Sequence, residues 1–279
     1  MSSENPLDAR SGSGGRGAPG NRPDHPNPPS KSRTTLVIVL LALVYIWSAA
    51  GTGTRPLSLL LGIPDMVNLF ERMWPPDLRY VLTMLGPLAE TVQMAILGTF
   101  LGAAVAIPVT FMAARNVSRV RAVYLVTRSV LNFIRTLPDI LLASVFAAAL
   151  GFGALPGVLA LAVFSFGIIA KLTSETVEAI DPGPLEALYA VGSPSLNVIF
   201  YGVVPQVLPQ FVAYCLYVFE INVRAATVLG LVGAGGIGMW LMRDMNLMMY
   251  RNASAITLLI FVFVLGIDAF SNWLRGRLV

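Results

Sequence analysis

Several groups of side chains in this sequence are of types that bind or neutralise charge. Arg121, Arg128 and Arg135 are spaced by seven, with Asn132 between the last two, so on one helix they share a face. Guanidinium groups in that pattern suit bidentate capture of an oxyanion. Glu220 and Arg224 are four apart, as are Lys171 and Glu175, and each pair can neutralise itself along a helix. Asn222 and Thr227 are neutral polar residues beside the first pair. Gly233-Ala234-Gly235-Gly236-Ile237-Gly238 satisfies G-x-G-x-x-G, but a dinucleotide site needs a preceding strand and an acid about 20 residues later. Residues 252–267 contain no acid, and the glycines instead suit close helix packing or a break in a pathway helix. Catalytic candidates are scarce. His25 is the single histidine and Cys215 the single cysteine, so a metal cluster, a disulfide framework and a Ser-His-Asp triad all lack their residues. No G-x-x-x-x-G-K-[ST] phosphate loop occurs either, and the reading is of a chain with no catalytic residue, metal or cofactor of its own.

The elements that must position these residues are membrane helices. The chain is 56% hydrophobic and only 12% charged, against about 25% charged for a soluble domain, and its mean hydropathy is +0.72. Uncharged runs at Thr34–Thr54, Thr91–Ala114, Ile140–Ala170, Ala187–Phe219 and Ala225–Met242 reach the roughly 18 residues of a spanning helix. The expected architecture is all-α and integral to the membrane, with six transmembrane helices. Residues 1–33, rich in Ser, Gly, Pro and Asn, read as a disordered cytoplasmic tail. Residues 34–85 read as a first span followed by an external amphipathic segment at the interface, ended by Pro75-Pro76. The remaining spans fall in 86–279, at about Pro87–Ala113, on either side of Gly151–Pro156, at Val207–Leu231 and at Ala253–Trp273. The third is expected to run back continuously through Arg135 and Arg128. With the tail inside, ten cationic residues lie on inner segments and five on outer ones, which favours cytoplasmic termini. The net charge of +4 is therefore read as a topology signal rather than as a nucleic-acid surface.

Between the fourth and fifth spans, Asp181-Pro182-Gly183-Pro184 breaks the helix, and Leu185 to Val191 restarts as a short helix stopped by Gly192-Ser193-Pro194. A second helical piece then runs to Pro205. Glu186-Ala187-Leu188, then Gly192, then Gly202-Val203-Val204-Pro205 resembles the pattern E-A-A-x-x-x-G, nine residues, I-x-L-P of ABC importer permeases. Glu186, Ala187, Gly192 and Pro205 fall on the required positions, whereas Leu188, Gly202 and Val204 depart from the preferred Ala, Ile and Leu. The segments Asn222–Gly238, Arg128–Pro138 and Ser174–Asp181 are similar to stretches of phosphonate importer permeases, and methionine-type (MetI-like) permeases share the first.

The resemblance implies a permease core over 86–279, with 181–206 as a cytoplasmic coupling loop gripped by an ATPase subunit. It implies a second copy of the chain, two ATP-binding subunits carrying ATP and Mg, and an extracytoplasmic binding protein that delivers the ligand. The implied ligand class is a phosphonate or related phosphorus oxyanion, with methionine or another small solute as the alternative. Arg135, Asn132, Glu220, Asn222, Arg224 and Thr227 are the pathway candidates, and Arg121 and Arg128 could instead meet anionic lipid headgroups. Two other classes compete. A secondary transporter would show repeats and a midplane coupling carboxylate, for which Glu220 is the strong candidate. A membrane-embedded enzyme would need a nucleophile or metal set that is missing.

Overall fold

The computed structural model describes residues 31–53, 56–118 and 120–277. The expectation for the tail therefore lies outside the described residues up to position 30. The chain divides into two units, 1–63 and 64–279. In the first, α1 (Lys31–Thr52) is apolar around its whole circumference and long enough to cross a bilayer. α2 (Pro56–Met73) begins there and ends before Pro75, where proline denies the helix a further N–H.

The second unit holds the packed bundle. A short α3 (Leu78–Thr83) is capped by Asp77, whose carboxylate accepts the Arg79 amide at 3.0 Å. α4 (Leu85–Ala113) and α7 (Ala154–Glu178) form its centre. Gly98 and Gly102, four apart on α4, let the two backbones approach closely. A Cβ on either would lie 2.5 Å from the Cβ of Leu161 or of Ser165. Around that contact Met94, Leu161, Leu229 and Ala143 are buried together, drawing in α6 (Asp139–Leu150) and α10 (Val204–Leu229). A second cluster near the other end of α7 joins Ala106, Leu131, Ile169 and Val218.

The third expected span is not one rod. α5 (Arg121–Thr136) and α6 are bent by 86° at the break between Thr136 and Asp139. Pro138 supplies no N–H and holds Leu137 in an extended conformation, φ −79° and ψ 123°, so the helix cannot pass through it. α1, α4, α7, the piece from Ser195 to Val232 and α12 (Tyr250–Arg275) are long and apolar enough to span, and the bent pair makes six when counted as one.

After α10, residues Gly230–Val232 tighten into a 3₁₀ turn and the chain reverses into α11 (Gly236–Asn246). Positive φ at Gly233, Gly235 and Gly236 makes this reversal, which side chains would oppose. α11 packs back on α4, where the Ile237 amide donates to Thr91 Oγ1 at 2.8 Å. The uncharged run Ala225–Met242 is thus two helices, α10 and α11, folded back on each other at the glycines.

Candidate functional site

The loop between α7 and α10 is a built elbow. Its first helix, α8 (Gly183–Ala190), starts where Asp181 accepts the Gly183 amide at 2.9 Å. It stops at Gly192, whose φ of +75° is the left-handed conformation that ends helices. There Gly192 N–H donates to Tyr189 O at 3.0 Å and Ser193 N–H to Leu188 O at 3.1 Å, the two bonds of a Schellman cap. α9 (Ser195–Val198) and a wide π turn at Ile199–Val203 then run without interruption into α10. Pro205 lies in the first turn of α10, directly after the wide π turn. Gln206 ties the elbow shut at its base. Its side chain accepts the Asp181 amide at 3.1 Å and donates to Gly202 O at 2.8 Å.

Inward, Leu185 packs beside Val177, Val203 and Val207. Outward, Glu186 and Ala187 are exposed in the first half of α8, and the carboxylate lies in the first turn, where the helix dipole favours it. Tyr189, Val191, Leu196, Phe200 and Tyr201 are all more than half exposed, and the segment from 181 to 206 contains no Lys or Arg. An exposed apolar face of this kind is an interaction surface, for another protein or for lipid.

Two charged networks tie the helices of the bundle. Beside the elbow, Glu178 Oε1 accepts the Arg115 backbone N–H at 2.8 Å and Arg128 Nη1 at 2.9 Å. Lys171 holds Glu175 at 3.1 Å. Arg128, read as meeting either an oxyanion or lipid headgroups, is half-buried and paired with Glu178. In the second network Glu220 is buried and bonded to both Arg224 and Arg275, the latter at 2.7 Å, while Arg224 also lies 3.6 Å from Asp268. Glu220 and Arg224 therefore act first as an internal α10–α12 tie.

Asn222, expected along a solute path, is fully buried between helices. Its Nδ2 donates to Thr99 Oγ1 at 2.8 Å and to Ser165 Oγ at 2.7 Å, clasping α4, α7 and α10. Thr227 turns back on its own helix, donating to Arg224 O at 2.7 Å. Asn132 and Arg135 are the candidates left on an exposed face, next to the 86° bend, with the Arg135 stem against Gly167. In the glycine stretch, Gly233, Gly235 and Gly236 make the turn, and Gly238 lies so close to α10 that a Cβ would fall 1.9 Å from Thr227 O.

Sequence reasoning missed Asp244, which is wholly buried on α11 near Tyr80. Burial pushes the Tyr80 phenol up, and the neighbouring Asp244 carboxylate adds to the shift. An acid beside Arg243, in a segment that the charge bias reads as external, carries no sequence signal of burial.

Residues 106–279 match the family described as the binding-protein-dependent transport system inner membrane component. The chain belongs to that family. It is a multi-pass permease subunit of an inner-membrane transport system. It is 41% identical over 238 residues to the phosphite transport system permease protein PtxC of Stutzerimonas stutzeri, covering 85% of each chain. It is also 41% identical over 226 residues to the phosphate-import permease protein PhnE of Mycolicibacterium smegmatis, covering 81% of this chain and 42% of that protein. Among solved structures, the MetNI methionine ABC transporter in its inward-facing form superposes with a TM-score of 0.61 at 20% identity, over 70% of this chain and 96% of that one. At that identity the likeness is one of fold.

Proposed function

We propose that this chain is one membrane half of an importer for phosphorus oxyanions, driven by separate ATPase subunits that grip the elbow at 181–206. The observation that carries the coupling role is the elbow's construction. It exposes Glu186, Ala187, Tyr189, Val191 and Phe200, and it runs through the π turn into α10 without a hinge of loose chain. A push on α8 therefore moves the base of α10. Gln206 passes part of it to the end of α7, and Asn222, about 24 Å further along α10 at 1.5 Å per residue, engages α4 and α7 again. The helices rock as a unit rather than flexing separately.

The substrate class rests on the names of the relatives, which concern phosphite and phosphate, together with exposed Arg135 and Asn132 at the helix break. A guanidinium with no carboxylate partner among the described residues suits an oxyanion better than it suits the zwitterion methionine. One half does not enclose a path, so a second permease half, read here as another copy of the chain, completes it. Two ATP-binding subunits supply ATP and Mg, and a binding protein delivers the ligand outside. Both termini lie in the cytoplasm, as the arginine bias favours. The test is ATP hydrolysis by the complex reconstituted with its binding protein. Phosphite, phosphate or a phosphonate raises hydrolysis, and methionine leaves it at the basal rate. Stimulation by methionine alone contradicts the substrate class, and mass measurement of the assembled complex identifies the second half.

A further inference from the structure

At the elbow end of the bundle, Arg115 and Ser118 after α4 and Arg121, Tyr124 and Leu125 of α5 line an open polar cavity of about 410 Å³. The neighbouring acids are already satisfied. Glu178 holds the Arg115 amide and Arg128, and Glu175 holds Lys171 with Arg128 at 3.9 Å. Neither the Arg115 nor the Arg121 guanidinium has an ion-pair partner among the described residues, and α5 has no acid in its first turn. Two uncompensated positive charges thus face one cavity. The Tyr124 hydroxyl accepts from Arg128 Nη1, which leaves its own proton to donate, and Ser118 adds a second hydroxyl.

We propose that this cavity binds a phosphate oxyanion, and that the phosphate is the headgroup of an anionic phospholipid. Guanidinium pairs with hydroxyl donors match phosphate oxygens. The lipid source follows from the rim. Val120, Leu125 and Val126 are more than half exposed beside the cavity, and apolar Val130 and Phe133 continue that surface along α5. A free phosphate has no use for such a surface, whereas acyl chains cover it while the headgroup enters the cavity. The bound lipid bridges the α4–α5 connection next to the Glu178–Arg128 pair.

The test uses the full chain in detergent, delipidated and titrated with phosphatidylglycerol or phosphatidylcholine, with bound lipid counted by native mass spectrometry. Phosphatidylglycerol is retained in preference to phosphatidylcholine. The Arg115→Gln/Arg121→Gln pair binds it about 30-fold more weakly, equivalent to about 2 kcal/mol. Arg79→Gln, at another site, leaves binding unchanged, and Arg115→Lys/Arg121→Lys, which keeps both charges, retains it. Equal retention of the two lipids, or full retention by the Gln pair, overturns the site. Displacement of the lipid by millimolar inorganic phosphate overturns the lipid source and assigns the cavity to the free ion. Lipid binding is read without transport, so failure here leaves the coupling role of the elbow untouched.

Discussion

Leu188 and Gly202 are one contact: a Cβ built on Gly202 would lie 3.2 Å from Leu188 Cδ1. These are two of the positions at which the elbow departs from its family's pattern, large where Ala is preferred and absent where Ile is preferred. The departures compensate each other in volume, so α8 keeps its seat on the π turn that leads into α10. Gly202→Ile alone should overpack the seat, destabilising the protein by about 1–3 kcal/mol. Leu188→Ala alone should lose less than the about 2–5 kcal/mol of a core leucine, because Leu188 is only half-buried. The double variant should be more stable than Gly202→Ile, as contacting residues couple. Thermal unfolding of the three variants checks this, and strict additivity would disprove the compensation.

Asn222→Ala removes the bonds from α10 to Thr99 of α4 and Ser165 of α7, and it leaves a small void. The expected loss is about 2 kcal/mol from two net hydrogen bonds plus cavity. Surviving protein should show an unchanged apparent affinity for substrate in uptake assays. A raised KM with normal stability would return Asn222 to the solute path.

The glycines of α11 and α12 should respond in opposite ways. Gly238→Ala places a Cβ 1.9 Å from the Thr227 carbonyl oxygen, a backbone atom that cannot step aside, so yield of folded protein should collapse. Gly266→Ala meets nothing within 4 Å in the middle of α12, and it should raise stability by about 0.5–1 kcal/mol through helix propensity. Fluorescence-detected size-exclusion profiles and melting curves separate the two.

Glu220→Gln removes the negative charge that bonds to both Arg224 and Arg275. Destabilisation should fall below the about 3–5 kcal/mol of a fully buried broken pair, since Arg224 is half exposed to its surroundings. Adding Arg275→Gln should restore part of it. A double-mutant cycle with no coupling between positions 220 and 275 would remove the tie between α10 and α12.

Local rules made the elbow legible in the sequence. Pro182, Pro184 and Gly192 each govern their own backbone, and the Schellman cap they frame needs only residues Leu188 to Ser193. The same is true of the reversal at Gly233–Gly236. What escaped depends on partners far along the chain. Asn222 reads alike whether it faces a solute or another helix, and its partners Thr99 and Ser165 are 123 and 57 positions away. Arg128 reads as a free cation because nothing in the sequence says that Glu178, 50 positions later, folds against it. The bend at Leu137-Pro138 was locally encoded by proline, but the apolar run beyond it suggested a straight continuation.

The central claim is that the outward face of the elbow is held by an ATPase subunit. Replacing Tyr189 with a photoreactive phenylalanine derivative in the intact complex tests it most directly. Irradiation should join position 189 to the ATPase subunit, with a yield that changes when ATP and Mg are added, while the same probe at Met248 should not react with that subunit. Labelling of position 189 from outside the cell, or no crosslink to any ATPase subunit from the assembled complex, would contradict the account.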